Sequence, residues 1–428
     1  MLLALALAAT AQDLTVYSDE AGPIDIIAAP AEATDDQLFF RGMGAPTILH
    51  DGTQFVLYFE TQLQPAAFDL LGVDVSACGN ARVWGIGRAT SPDGLDWTVD
   101  SSLVLEPRGA GHFDACVIAQ PEVLFDGETY HLWYKAEQER TPCPEGEDPS
   151  PFGCEPGTGV GYAWSTDGIN WTGSDTPAIA LSGSFGYPRV TQIEEQYIMV
   201  TSVIPSIDLY TADDPAGPWT LSESSPIVQP GLASWMQAEV VRPTLLCDED
   251  RDINGDPEYG YTMWVEGRDT VENPTYSLGR MFSTDGDIWA VGTDSPYIAW
   301  DSTTGDDWRA MDAIRTESGA EILFYSRRDL SQTPVRRRIG VAWTSEGSDW
   351  SAETFLNNTC GIVEPIDTSD PGTDDPGTED PGTGVDTDTA DTGEFVGGGC
   401  KCDGTGAPSS ALGLSGLLFG LLAVRRRR

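Results

Sequence analysis

Five times along this chain a short turn closes on a tryptophan. The copies are "RATSPDGLDWT" ending its motif at Trp97, "AWSTDGINWT" at Trp171, "YTADDPAGPWT" at Trp219, "RMFSTDGDIWA" at Trp289 and "AWTSEGSDWS" at Trp350. In Ser-x-Asp-Gly-x-x-Trp the acid accepts hydrogen bonds from turn amides and the glycine supplies a positive φ. The indole then fills the gap between neighbouring sheets. A group needed once for catalysis would not occur five times, so Asp93, Asp167, Asp285 and Glu346 are read as scaffold.

The intervals between tryptophans are 74, 48, 70 and 61 residues, the span of one small antiparallel sheet with variable loops. Each copy follows a strand pattern such as "GVGYAW" or "RIGVAW". Upstream of each lies a hairpin rich in β-branched and aromatic residues, clearest in "PTILHDGTQFVLYFE" and "PEVLFDGETYHLWYK", where Asp-Gly marks the tight turn. Repetition of this unit predicts an all-β fold, a five-bladed β-propeller over residues 12–363.

Charge narrows the partners. Up to residue 363 the chain carries 56 acids from position 12 onward against 18 bases, a balance of −38. Such a surface repels phosphate backbones and anionic membranes, which argues against nucleic acid and leaves cations and neutral sugars compatible. Eight cysteines suit an oxidising compartment. Cys143 and Cys154 bracket the loop "CPEGEDPSPFGC" and are the expected disulfide, with the pairing of the others open.

The hairpin and turn together resemble the five-bladed propeller glycoside hydrolases, the arabinanase and xylosidase group (family 43) and the invertase group (family 32), over most of residues 38–355. That resemblance implies a carboxylic acid and a carboxylate at the mouth of a central funnel, with an aspartate just before the first-blade proline. Here that position is Ala45, and its counterparts are Gln120, Tyr187, Arg242 and Met311, none a carboxylate. The substitutes nearby are Asp114 as base and Glu239 as acid, with Glu122 and Asp312 as further candidates. Each could instead be a surface carboxylate or the partner of an arginine. Arg41, Gln120, Tyr187, Arg242 and Trp235 are candidate sugar-binding residues. A non-catalytic carbohydrate-binding or adhesion propeller is the alternative.

In "DRDINGDPEYGY", Asp250, Asp252, Asn254, Asp256 and Glu258 supply oxygen ligands around a glycine, as a Ca²⁺ loop requires; an acidic hairpin tip is the other reading. No histidine pair at zinc spacing, nucleophile elbow or phosphate-cradling loop occurs. The first eleven residues, "MLLALALAATA", read as an export signal. From Glu364 an Asp-Pro-Gly-Thr theme forms a disordered acidic linker to 399. Cys400, Cys402, the apolar run Ala411–Val424 and four arginines follow. This tail resembles the MYXO-CTERM sorting signal of myxobacterial surface proteins. It implies a short membrane helix, processing by sorting machinery near Cys400 or Cys402, and a body exported to the cell surface or outer membrane, or secreted after processing. The body is expected to be monomeric.

Overall fold

The computed structural model describes residues 24–28, 43–63, 68–69, 71–75, 78, 83–138, 158–183, 185–193, 195–247, 260–272, 276–298, 306–329, 336–344, 353–357 and 359–360. The expected export signal, Arg41, Cys143 with Cys154, the calcium loop, the Trp350 turn and the whole tail from 364 lie outside them.

Nearly all of the described regular structure is strand. After β1 (Ile24–Ala28), the chain forms an antiparallel unit of β2 (Met43–His50), β3 (Phe55–Gln62), β4 (Trp84–Ser91) and β5 (Thr98–Val99). The second unit is β6 (Val117–Phe125), β7 (Tyr130–Glu137), β8 (Thr158–Ser165) and β9 (Thr172–Gly173), with β10 (Ile179–Gly183) also against β8. A third comprises β11 (Phe185–Ile193), β12 (Gln196–Val203), β13 (Ser206–Ala212) and β14 (Thr220–Leu221). The fourth has β15 (Glu239–Cys247), β16 (Tyr261–Arg268), β17 (Ser277–Ser283) and β18 (Ala290–Val291). The fifth contains β19 (Asp306–Thr316), β20 (Glu321–Asp329) and β21 (Arg336–Trp343), and β1 takes its outer place by pairing with β21. Two short strands, β22 (Phe355–Leu356) and β23 (Thr359–Cys360), add to β19 and β11.

The hairpin turns work as their sequence indicates. Asp51 Oδ1 accepts from the amides of Thr53 and Gln54 at 2.9 Å each, and Gly52 sits at φ +90°. Asp126 does the same for Glu128 and Thr129 beside Gly127 at φ +102°. The tryptophan turns repeat one geometry. Asp93, Asp167 and Asp285 each accept from two following amides, and the preceding serine holds the glycine amide at 2.8–3.0 Å. These amide contacts hold all three carboxyls below the usual range.

Each indole then packs on the preceding unit. Trp97 meets Phe324 edge-on at 5.8 Å, Trp171 meets Tyr58 at 5.8 Å and Trp219 meets Trp133 at 6.2 Å. Trp289 is buried among Val200, Leu209 and Met263, between units three and four. The apolar cores lie between units too. Leu49, Val56 and Ile86 face Ile118, Val123 and Leu132, while Ile48, Phe55 and Leu57 face Ile314, Phe324 and Val341 of the last unit. The first unit therefore packs against the fifth, and the fold is propeller-like.

One disulfide is present among the described residues, Cys78–Cys116, tying the loop after β3 to the approach to β6. Replacing Trp289, 7 % exposed, with alanine should lower stability by about 3–5 kcal/mol through the cavity left between units. Urea denaturation of wild type and Trp289→Ala checks this.

Candidate functional site

The first strand of every unit carries the same irregularity. Register shifts between Gly44 and Thr47, Ala119 and Glu122, Gly186 and Arg189, Val241 and Thr244, and Arg309 and Asp312. Within each shift one non-glycine residue adopts positive φ: Ala45, Gln120, Tyr187, Arg242 and Ala310, at 42–55°. This corrects the fifth expected position, which is Ala310 rather than Met311. The bulge there lacks the proline that marks the other four, so counting from proline was not available.

Left-handed backbone costs an L-residue about 1–2 kcal/mol, and neighbouring side chains offset it. Ser326 Oγ accepts from the Ala45 amide (2.7 Å), Gln120 Oε1 from Tyr187 (2.9 Å), Ser202 Oγ from Arg242 (2.7 Å), and Glu266 Oε1 from Ala310.

Two residues beyond each bulge start stand Thr47, Glu122, Arg189, Thr244 and Asp312, all buried. Arg189 donates to Glu122 Oε2 and the Pro121 carbonyl at 3.0 Å each. It also donates to the carbonyls of Pro46 (3.2 Å) and Met311 (3.0 Å). Asp312 lies on its other side, 3.8 Å from Nε, and accepts from the Ile48 amide at 2.9 Å. Glu122 also accepts from Thr47 Oγ1 and the Val190 amide. Burial pushes the Glu122 carboxyl up, Asp312 adds to the rise and Arg189 opposes it; Asp312 is also raised, chiefly by burial. Two expected catalytic acids thus join four units around one guanidinium.

The other two stand elsewhere. Asp114 is buried, with Oδ1 accepting from Arg108 Nε and Oδ2 from the Tyr134 hydroxyl, both at 2.7 Å. Tyr134 belongs to the core between the first two units, so this carboxylate clamps packing. Glu239 is at the start of β15, ion-paired with Arg268 and accepting from the Tyr276 hydroxyl at 3.1 Å. Trp235, expected to bind sugar, lies in the core over Gly267 and Gly279; a Cβ on Gly279 would come within 2.0 Å of its ring.

A cavity of about 290 Å³ opens where the first strands begin. Its lining includes Gln120 and Tyr187, two of the candidate sugar-binding residues, together with Glu60, Trp84, Lys135 and Arg337. Arg337 donates to Glu60 at 3.0 Å and lies 5.3 Å from the Trp84 ring centre, while Lys135 pairs with Glu137 at 2.7 Å. Tyr187 connects this wall to a second group. Arg242 lies over the rings of Tyr187 (5.1 Å) and Tyr276 (4.5 Å) and pairs with Glu266 at 2.6 Å. Arg268 and Arg309 also approach Tyr276, at 5.5 and 4.8 Å.

Glu60, Trp84, Lys135, Glu266, Tyr276 and Arg337 escaped the sequence reading. They sit at the ends of second and third strands, or just before one, and a register such as Gly44↔Glu60 brings them beside the bulges. Pairing each hairpin from its Asp-Gly turn would have found Glu60 and Lys135.

No family model matches the chain, and no curated protein matches it. Solved structures do. A β-1,2-mannobiose phosphorylase from Listeria innocua superposes with a TM-score of 0.53 at 13% identity, covering 77% of this chain and 96% of that one. For a glycosyl hydrolase from Bacteroides ovatus the values are 0.51, 12%, 77% and 96%. A family 117 glycoside hydrolase from Zobellia galactanivorans gives 0.50, 12%, 77% and 90%. At these identities the likeness shows a shared fold, the propeller-like arrangement described above.

The raised Glu122 carboxyl fixes a sign. The folded chain holds that proton at pH values where the unfolded chain has released it, so this group's contribution is full below about 4.5 and is lost as pH rises toward about 8. Glu122→Gln, which mimics the neutral form, should flatten the fall in stability across that window. Denaturant melts from pH 4.5 to 8.5 check it; an unchanged slope contradicts the assignment.

Proposed function

We propose that this protein is a five-bladed propeller that recognises polysaccharide at the cavity where its first strands begin. One observation carries the reading: Trp84 and Tyr187 stand in a cavity of about 290 Å³ beside Gln120, Glu60, Lys135 and Arg337. Flat aromatic faces cover the C–H faces of a sugar ring, and convergent amide, carboxylate and cationic groups bond its hydroxyls. The five bulged strands and the packing of first unit on fifth support five blades. Supporting a carbohydrate ligand, the solved structures with this fold include proteins named for mannosides and for glycoside hydrolysis.

Hydrolysis is the second reading, favoured by those same folds. It needs an acid kept protonated opposite a carboxylate. At the mouth, Glu60, Glu137, Glu239 and Glu266 each lie against a cation. Each of these acids is thus already engaged in an ion pair within the fold, so binding leads. Export and surface anchoring belong to the same proposal, supported by the apolar N-terminal run, the Cys-x-Cys tail and an oxidised Cys78–Cys116 pair. A Ca²⁺ held by Asp250, Asp252, Asn254, Asp256 and Glu258 would stiffen the loop between β15 and β16.

The full chain should bind at least one member of a plant, algal and bacterial glycan panel, measured by calorimetry, and Trp84→Ala should weaken that binding about ten-fold or more. Reducing-sugar release that disappears in Glu239→Gln would move the assignment to hydrolysis. No binding and no release across the panel would sink both readings.

A further inference from the structure

Among the described residues only one strand pairing joins two units. Trp84, first in β4, stands beside Val117, first in β6, in a parallel contact of a single residue pair that merges the first and second sheets. The seam lies on the cavity wall, since Trp84, Val117 and Glu137 all line that volume. Cys116 closes it. Its carbonyl accepts from the Trp84 amide and its own amide donates to the Glu137 carbonyl, both at 3.1 Å. One residue's backbone thus holds the indole wall of the first unit to the Lys135–Glu137 wall of the second.

A seam this short has little strength of its own. Each hydrogen bond exchanges a partner in water for one in the protein and nets little, and strand ends at the rim of a sheet open most readily. The Cys78–Cys116 disulfide supplies the missing constraint. It fastens the loop that enters β4 to the residue just before β6, across a sequence separation of 38. Such a crosslink restricts how far the two segments can part. The loop is closed at its base by the Leu63 amide on the Val83 carbonyl at 2.9 Å. Both cysteines are buried in one apolar core with Leu71, Val75, Val83 and Val117, and Trp84 packs against it. On the other side, the segment before Cys116 is fixed to the second unit by Asp114, which accepts from the Tyr134 hydroxyl at 2.7 Å. The ring as a whole is joined elsewhere, through Arg189 and the remaining cores between units.

We propose that Cys78–Cys116 is a positioning bridge for the sugar site: the oxidised bond sets Trp84 against the second unit, and without it the cavity wall opens while the propeller stays folded. The inference rests on the carbohydrate reading above and names what makes that site competent.

The full chain carrying Cys78→Ala with Cys116→Ala tests it. In the ligand-free protein, hydrogen exchange at the amides of residues 84 and 116 should speed about ten-fold or more, with β12 and β16 unchanged. Calorimetry then uses xylo-, arabino-, manno- and fructo-oligosaccharides, and any that binds wild type should bind the variant about ten-fold or more weakly. Trp289→Ala, which loosens packing between the third and fourth units, is the control for lost stability and should keep wild-type affinity. A variant that binds as tightly as wild type overturns the proposal, and so does unchanged exchange at those two amides. Equal loss of binding in Trp289→Ala assigns the effect to general stability and overturns it likewise. A variant that does not fold also overturns it, because the bridge then supports the whole body rather than one wall. If no oligosaccharide binds wild type, the carbohydrate reading itself falls and leaves the bridge no site to position.

Discussion

A single guanidinium joins the inner strands. Arg189, 1 % exposed, reaches carbonyls on the first, second and fifth units from its own place in the third, and two buried acids, Glu122 and Asp312, flank it. Burying such a group is costly unless its donors are met, and here the ring supplies its two terminal nitrogens with Glu122 and with carbonyls that a strand bulge has turned inward, while Nε has only Asp312, 3.8 Å away and without a hydrogen bond. The bulge and the arginine therefore depend on each other. Without the shift in register those carbonyls would stay in their ladders, and without Arg189 those of Pro46 and Pro121 would lose this donor, while that of Met311 would keep the Thr244 hydroxyl.

Around that centre the roles of the acids separate by depth. Glu122 and Asp312 serve the arginine, and Asp114 serves Tyr134. At the mouth, carboxylates meet arginines and a lysine in pairs, next to aromatic rings and open volume. Charge near the axis holds strands together, and charge at the rim borders open volume.

Much of the architecture was legible because turns are local. Asp93 and Gly94, or Asp167 and Gly168, act within a few residues, and their spacing reports the sheet that precedes them. The site was harder to read because it is assembled from strand ends brought together by register. Gln120, Tyr187 and Arg242 were found through the proline beside them. Ala310 was displaced by one because Met311 replaces that proline, and Tyr276 and Arg337 carry no local mark at all. Trp235 misled for a related reason: whether an indole faces ligand or core is decided by the two glycines, Gly267 and Gly279, that accept it.

The outer strand of the fifth unit comes from the opposite end of the chain, with Ile24 paired to Val341. A loop of more than three hundred residues closes there, at an entropic cost about 3 kcal/mol above that of a ten-residue hairpin. During synthesis the N-terminal segment must wait, unsatisfied, until β21 has emerged. The ring is therefore the last thing to form: four units can pair their own strands in order of synthesis, and only the fifth depends on both ends of the chain being present at once.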